Sequence, residues 1–500
     1  MNVLLVTIDQ WRADSLGCAG HPCARTPTID RLAARGVRFT RHFAQTAPCG
    51  PSRASLLSGM YLHNHRAVDN GTPLDSRFTN LALELRSAGY RPTLFGYTDT
   101  TVDPRTVDDP DDARLRTYEG VLAGFDIEVQ LPEAADAWLE WLRTKGYDVP
   151  ASVGELYEDR DHNGAEGRGA SWAPVRYASE HTEAAFLVER FIDWHSRLPH
   201  DESWAAHVTF LRPHPPFVAP APWHDLIDPA IVPMPVRHPD IDREGAVHPM
   251  VAAALIVDAV RAPASEPDTR QLRATYWGML AEVDEKLGWL LDHLDSTDAE
   301  DTLVIVTSDH GEQLGDHWLI QKLGYFDSSY HIPLVIAGPG VVGGRTVEHF
   351  TENIDLMPTI LAGVGAPVPA QCDGVALQPF LRGDEPEGWR DAAHWEWDFR
   401  DPATSALLGV ALHESNLAVL RDGHGKYVHF AGLPAAFYDL DEDPHELRNR
   451  ADDPEYRDRV LDYAQRLLSW RLSTDDQTLA RLIATPDGIV PVEETGSRYR

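Results

Sequence analysis

Val3-Leu4-Leu5-Val6-Thr7-Ile8-Asp9-Gln10 opens the chain with an unbroken apolar run that stops on a carboxylate and an amide. A short continuous run of this kind predicts a strand buried on both faces. The pattern recurs: residues 92–95 end at Gly96-Tyr97, 207–211 at Arg212-Pro213-His214, and 303–307 at Ser308-Asp309-His310. Each polar cluster follows the carboxyl end of an expected strand, the edge where open parallel sheets bind ligands. Between these runs, 182–198 and 269–294 show helical periodicity, with Leu272, Tyr276, Met279, Leu280, Val283 and Leu287 on one face. This alternation defines an α/β protein with a large, mixed but mainly parallel sheet sandwiched by helices.

The stretch 99–168 is rich in Asp, Gly and charge without sustained periodicity, and reads as insertions over the active edge of the sheet. After about Gly340 the segments shorten, at 417–420, 427–430 and 437–440, before a helical 454–472. The expected division is therefore a catalytic α/β domain at 1–340 and a smaller α+β portion at 341–500 with an antiparallel sheet and a helical tail.

Composition narrows the partners. The hydrophobic fraction of 43% and charged fraction of 24% are those of an ordinary globular chain. With 78 acidic residues against 44 Lys and Arg, the net charge is -34, which repels phosphate backbones and anionic membranes. Neither nucleic acid nor membrane is expected as a partner. The opening run reads as a strand and not a signal peptide, and no run approaches the roughly 18 apolar residues of a membrane span. Cys18, Cys23, Cys49 and Cys372 are too few and scattered for a disulfide framework, so the cytoplasm is the expected location.

The most specific run is Pro48-Cys49-Gly50-Pro51-Ser52-Arg53-Ala54-Ser55-Leu56-Leu57-Ser58-Gly59. Pro51 at a first helical position, followed by helix-compatible residues, puts Cys49 at a helix N-terminus, where free N–H groups attract anions. A lone cysteine in such a place is most often a small buried hydrophobe. Asp9 and Gln10 at one strand end, with Asp309 and His310 at another, supply two carboxylates, an amide oxygen and an imidazole. That set suits Ca²⁺, Mg²⁺ or Mn²⁺, and the imidazole favours Mn²⁺. Asp316 and His317 also look like ligands but read as groups that support those ligands or the fold. Arg53 returns one helical turn after Cys49, where it would orient a nucleophile or neutralise charge. Lys322 is expected to contact a nonbridging oxygen of an anion. His214, in a proline-stiffened turn, is a mount for a general acid or an oxyanion contact. Asn70, followed by Gly71, either donates its amide to substrate or simply makes a turn.

Together these motifs resemble the alkaline phosphatase superfamily, within it the formylglycine sulfatases, and most closely the bacterial phosphonate monoester hydrolases, which also cleave phosphodiesters. The resemblance spans nearly the whole chain. It rests on the opening Val3 to Asp14 run, the Cys49 block, Asn64-His65-Arg66-Ala67-Val68, Arg212-Pro213-His214-Pro215-Pro216-Phe217, Ser308-Asp309-His310-Gly311-Glu312-Gln313-Leu314-Gly315-Asp316-His317, and Phe437-Tyr438-Asp439-Leu440. It implies that a formylglycine-generating enzyme, reading Cys-x-Pro-x-Arg, oxidises Cys49 to an aldehyde. The aldehyde hydrate offers one hydroxyl to attack sulfur or phosphorus and a second to release the adduct by C–O cleavage. The resemblance also implies the metal set Asp9, Gln10, modified Cys49, Asp309 and His310, with substrate or nucleophile contacts from Arg53, Asn70, Tyr97, His214 and Lys322.

Many arylsulfatases place Lys-x-His where this chain has Gly96-Tyr97-Thr98-Asp99; Tyr97 is similar to the phosphonate hydrolases, which have a threonine at the position of Asp99. Thr98 or Thr100 would take that threonine's place. The implied activity is hydrolysis of small anionic esters, phosphonate monoesters and phosphodiesters first, with sulfatase side activity. A dedicated arylsulfatase is the alternative. An inactive anion-binding relative and a hydrolase using ordinary metal-activated water are the readings from other classes. By analogy with the family, the Trp470 helix and the tail after it would build a dimer or tetramer.

Overall fold

The computed structural model describes residues 1–199, 202–297 and 301–491. Eight strands build the large sheet: β1 (Asn2–Ile8), β2 (Val37–Phe43), β3 (Pro92–Gly96), β4 (Asp126–Gln130), β5 (Ala205–Phe210), β6 (Thr302–Thr307), β7 (His331–Ala337) and β8 (Arg345–Glu352). Their spatial order is β4-β3-β5-β1-β6-β7-β2-β8. Pairing is parallel except on both sides of β7, so one strand runs against the other seven. This is the expected mixed, mainly parallel sheet.

β1 lies at the centre and shows why its sequence has no polar break. Leu4, Val6 and Ile8 enter a core with the helices Pro27–Arg35, Glu183–His195 and Glu266–Asp295. Val3 and Leu5 face the opposite core, built with Leu56 and Leu57 of the helix Cys49–Ser58 and Leu356 and Ile360 of the helix Leu356–Gly363. Period-two alternation thus feeds two apolar layers, and each fully buried Leu, Ile or Val contributes roughly 1.5–3 kcal/mol.

Four further strands, β9 (Ala392–Asp398), β10 (Asn416–Asp422), β11 (Gly425–Phe430) and β12 (Ala436–Asp439), form an antiparallel sheet in the order β12-β11-β10-β9. The helix Arg457–Ser473 covers one face through Tyr463, Leu467 and Trp470. Trp395, Val419 and Tyr438 pack from the other face into a cluster with Phe43, Tyr330 and Phe350 of the large-sheet portion.

Two expectations are corrected here. The boundary at 340 falls one strand early, because β8 follows it and pairs with β2; the chain leaves the large sheet only after Glu352. The stretch 99–168 is not wholly inserted loop: it carries β4 and the helices Asp136–Thr144 and Val153–Glu158. β4 escapes notice because it is an edge strand exposed at Ile127 and Glu128. Within the last helix Trp470 is buried against Tyr61 and His394, with ring centroids 4.9 and 4.6 Å away. Of the tail after it, 474–491 includes a hairpin, Leu482–Thr485 with Gly488–Pro491, and 492–500 lie outside the described residues.

Candidate active site

Four chain segments converge at the carboxyl edge of the sheet. Asp9 and Gln10 follow β1, Tyr97 follows β3, His214 lies in the turn after β5, and Asp309 and His310 follow β6. The helix Cys49–Ser58 starts just beyond β2, two residues before Pro51, with Cys49 itself as the first helical residue. Every residue of this helix is buried. It tolerates that because its polar side chains are bonded inward: Ser52 Oγ donates to the Asp309 carbonyl, and Ser55 Oγ pairs with His65 Nε2 at 2.8 Å.

Gly50 shows how closely the pieces approach. A Cβ there would lie 2.8 Å from the Asp99 carbonyl oxygen and 3.0 Å from Asn70 Oδ1. Only glycine lets the helix N-terminus sit under both loops. The Gly50 N–H donates to Asn70 Oδ1 at 2.9 Å, which fixes the Asn70 amide so that its NH₂ is left for the cavity it lines.

Ligand atoms of Asp9, Cys49, Asp309 and His310 all lie within 4.8 Å of one another, and all four residues are buried. Cys49 Sγ is 3.2 Å from His310 Nε2 and 3.9 Å from Asp9 Oδ1. His310 Nδ1 donates to the Gly311 carbonyl at 3.0 Å, so in the neutral ring the Nε2 lone pair faces the cluster. Burial lowers the imidazole pKa and keeps it neutral. Gln10 sits at φ 68°, in the left-handed region, and this turn projects its amide into the site. Its Oε1 accepts from Lys322 Nζ at 3.1 Å while its Nε2 donates to Glu312. Two carboxylates, an inward imidazole lone pair and an inward amide oxygen are the donors a divalent cation such as Mn²⁺ or Ca²⁺ takes, so these residues fit the metal that the sequence implies.

Arg53 is not a surface arginine: it is 1% exposed. Its Nε donates to Asp309 Oδ2 at 3.0 Å, one terminal nitrogen reaches Asp9 Oδ2 at 3.2 Å, and the guanidinium lies 4.2 Å over the Tyr97 ring. Burial alone would lower its pKa, but Tyr97, Asp309 and Asp9 raise it, so it stays cationic and clamps both carboxylates. Tyr97 OH donates to Asp9 Oδ2 at 2.7 Å. Burial works against ionised Asp9, yet His214, His310, Arg53 and Lys322 hold its carboxyl below the ordinary carboxylate range. The Cys49 thiol is pushed the other way, well above its usual value, by burial and by Asp9.

A cavity of about 310 Å³ opens over Cys49, lined by Asp9, Asn70, Tyr97, His214, Lys322 and, on one side, Asp99, Glu119 and Glu133. Burial opposes the Lys322 charge, but Cys49, Asp9 and Asp309 raise its pKa and keep it an ammonium. His214 Nδ1 donates to the Pro215 carbonyl at 2.8 Å, and burial followed by Lys322 pushes the ring down to about 3. A neutral ring with Nδ1–H committed leaves the Nε2 lone pair as a hydrogen-bond acceptor.

Thr98 and Thr100 are not brought to the cavity. Thr98 Oγ1 bonds the Gly120 carbonyl at 3.0 Å and accepts from Leu122 N at 2.8 Å, and Thr100 Oγ1 donates to the Thr98 carbonyl at 3.1 Å. Both hydroxyls pin the loop 98–122, and Asp99 lines the cavity instead. Asp316 and His317 serve elsewhere: Asp316 pairs with Arg12 at 2.7 Å, and His317 Nδ1 meets Glu244 Oε1 at 2.9 Å.

Sequence reasoning missed Glu312 and the acids Glu119 and Glu133. Glu312 Oε1 accepts from the backbone N–H of Leu314 and of Gln321, both at 2.7 Å. An acid three residues past Asp309, flanked by Gly311 and Gln313 in a turn, was the available signal. Nothing local distinguishes Glu119 or Glu133.

These features define a class. The sulfatase family model matches residues 1–366, and the chain belongs to the sulfatase family of the alkaline phosphatase superfamily, an ester hydrolase. A second model, N-sulphoglucosamine sulphohydrolase, C-terminal, matches residues 315–473. Within the family, the chain is 41% identical over 513 residues, 98% of each chain, to the multifunctional alkaline phosphatase superfamily protein PehA of Trinickia caryophylli. It superposes on the phosphonate monoester hydrolase of Agrobacterium radiobacter with a TM-score of 0.93 at 47% identity, covering 99% of this chain and 100% of that one. The phosphonate monoester hydrolase SpPMH from Silicibacter pomeroyi gives a TM-score of 0.93 at 38% identity with both chains fully covered.

Proposed function

We propose that the chain hydrolyses phosphonate monoesters and phosphodiesters, with sulfate esters as secondary substrates, using a formylglycine made from Cys49 by a formylglycine-generating enzyme. The observation that carries this reading is the place of Cys49: first residue of a buried helix, 3.2 Å from His310 Nε2, at the floor of a cavity that also holds Lys322. The phosphorus preference is supported by the similarity to proteins named phosphonate monoester hydrolases and by Gly96-Tyr97-Thr98-Asp99 standing where many arylsulfatases have Lys-x-His.

Asp9, Gln10, Asp309 and His310 would hold one divalent ion, Mn²⁺ or Ca²⁺ before Mg²⁺, which supplies Lewis acidity when bound. Oxidised, position 49 supplies an aldehyde hydrate with one hydroxyl for attack and one for release. Lys322 Nζ and the Asn70 NH₂ face the cavity as donors for the nonbridging oxygens of the ester, and Lys322 stabilises the departing oxygen. His214 Nε2 accepts a hydrogen bond from the second hydroxyl, whose proton leaves with the product anion on C–O cleavage. Arg53 holds Asp9 and Asp309 in place and offsets their repulsion. The expected dimer or tetramer would use the exposed Leu461, Leu468 and Leu472 of the last helix and not the buried Trp470.

Side-by-side kcat/KM values on an aryl sulfate, a phosphodiester and a phosphonate monoester test the reading. Phosphorus esters should lead; a sulfate preference of about a thousandfold would establish the arylsulfatase instead.

A further inference from the structure

The acids along one wall of the cavity have no part in the chemistry above. Asp99 is 8% exposed, and its carboxylate makes no hydrogen bond among the described residues. The facing cation is Arg53, whose Nε lies 3.8 Å from Asp99 Oδ2 but already donates to Asp309 Oδ2 at 3.0 Å. Other buried acids of this chain are satisfied: Asp355 is bonded by both terminal nitrogens of Arg390, Asp284 accepts from Thr28 N and Ile29 N, and Glu282 from Thr182 Oγ1. Asp99 also sits at φ 50°, in the left-handed region, and lines the cavity. Glu119 and Glu133 line the same wall, tied together by a hydrogen bond from Glu133 N to Glu119 Oε1.

Charge balance says what this wall lacks. Around the cavity, Arg53 and Lys322 face Asp9, Asp99, Glu119, Glu133 and Asp309. With Asp99 ionised, one divalent ion still leaves an acidic excess, and a substrate whose only charge is negative would add to it at short range. A positive group on the substrate, held at Asp99, removes the conflict.

We propose that Asp99, with Glu119 and Glu133, forms a subsite for an ammonium group carried on the organic arm of the ester, so that the preferred substrates are zwitterionic phosphonate monoesters or phosphodiesters. The inference rests on the reading that the Cys49 cavity is the ester-cleaving site.

The test uses two phenyl phosphodiesters of the same shape, one with a 2-(trimethylammonio)ethyl arm and one with a neutral 3,3-dimethylbutyl arm. Wild-type enzyme should favour the charged ester by about tenfold or more in kcat/KM, and Asp99→Asn and Glu119→Gln should each cut that ratio by about threefold or more. Calorimetric binding of the same pair to Mn²⁺-loaded Cys49→Ala protein reads the ratio without turnover. A wild-type ratio of one or less, or a ratio that neither substitution moves, overturns the subsite. If neither ester is cleaved yet the charged one binds more tightly, the subsite stands and the proposed reaction fails. If both are cleaved at equal rates, the reaction stands and the subsite fails.

Discussion

The carboxylate of Glu312 accepts a hydrogen bond from the side-chain amide of Gln10, and that bond decides which end of the amide faces the metal-ligand cluster. With Nε2 committed to Glu312, Oε1 points towards Lys322 and the cluster. In Glu312→Gln, the new amide must keep its oxygen on Leu314 N and Gln321 N, which turns its NH₂ against that of Gln10. Gln10 then flips and presents NH₂ to the metal. Metal affinity should fall by about 10–100-fold, measured by calorimetric Mn²⁺ titration, with the fold intact by circular dichroism. Unchanged affinity would show that Gln10 is not a ligand.

Arg53 neutralises two buried carboxylates, and replacing it exposes their repulsion. Arg53→Met should lower the stability of the metal-free protein by about 3–5 kcal/mol in urea unfolding. Saturating Mn²⁺ should return part of that loss, because the ion takes over the neutralising charge. A variant as stable as wild type without metal would remove the clamp from the mechanism.

Much of this site was legible because its ligands sit where local patterns break. Asp9, Asp309 and His310 each follow an apolar strand directly, and Cys49 sits in a run whose Pro51, Arg53 and Gly59 have separate local consequences. What was not legible depends on packing between distant loops. Thr98 and Asp99 are neighbours in sequence, and only the bonds from Thr98 to Gly120 and Leu122 decide that the carboxylate and not the hydroxyl reaches the cavity. β8 lies beyond the expected boundary because Arg345-Thr346-Val347-Glu348-His349 carries no apolar run like those of the central strands.

Burial, and then Asp9 and Asp309, raise the Asp99 carboxyl to about 7 despite Arg53. The folded state therefore holds its proton where the unfolded chain, at the ordinary 3.8, has lost it. Stability contributed by this residue is lost as pH rises from about 4 to about 7 and is constant above. In metal-free protein, Asp99→Asn should gain on wild type across that window, by at most about 1.4 kcal/mol per pH unit, and hold the gain at pH 8. Urea unfolding at pH 5, 6, 7 and 8 reads this directly; a difference that shrinks with pH contradicts it.

Lys322 is the ammonium that lines the cavity over Cys49, while Arg53 stands behind Asp9 and Asp309. Lys322→Ala should cut kcat/KM on phosphodiesters by about 10²–10³ with the larger part in kcat, as expected for a donor aimed at developing charge. A change confined to KM would assign Lys322 to binding alone.

The nucleophile itself is tested most directly by the mass of the peptide containing Cys49, taken from fully active protein produced with a formylglycine-generating enzyme. The aldehyde or its hydrate at position 49, in proportion to activity across preparations, is the predicted result. Full activity with position 49 still a thiol would contradict it.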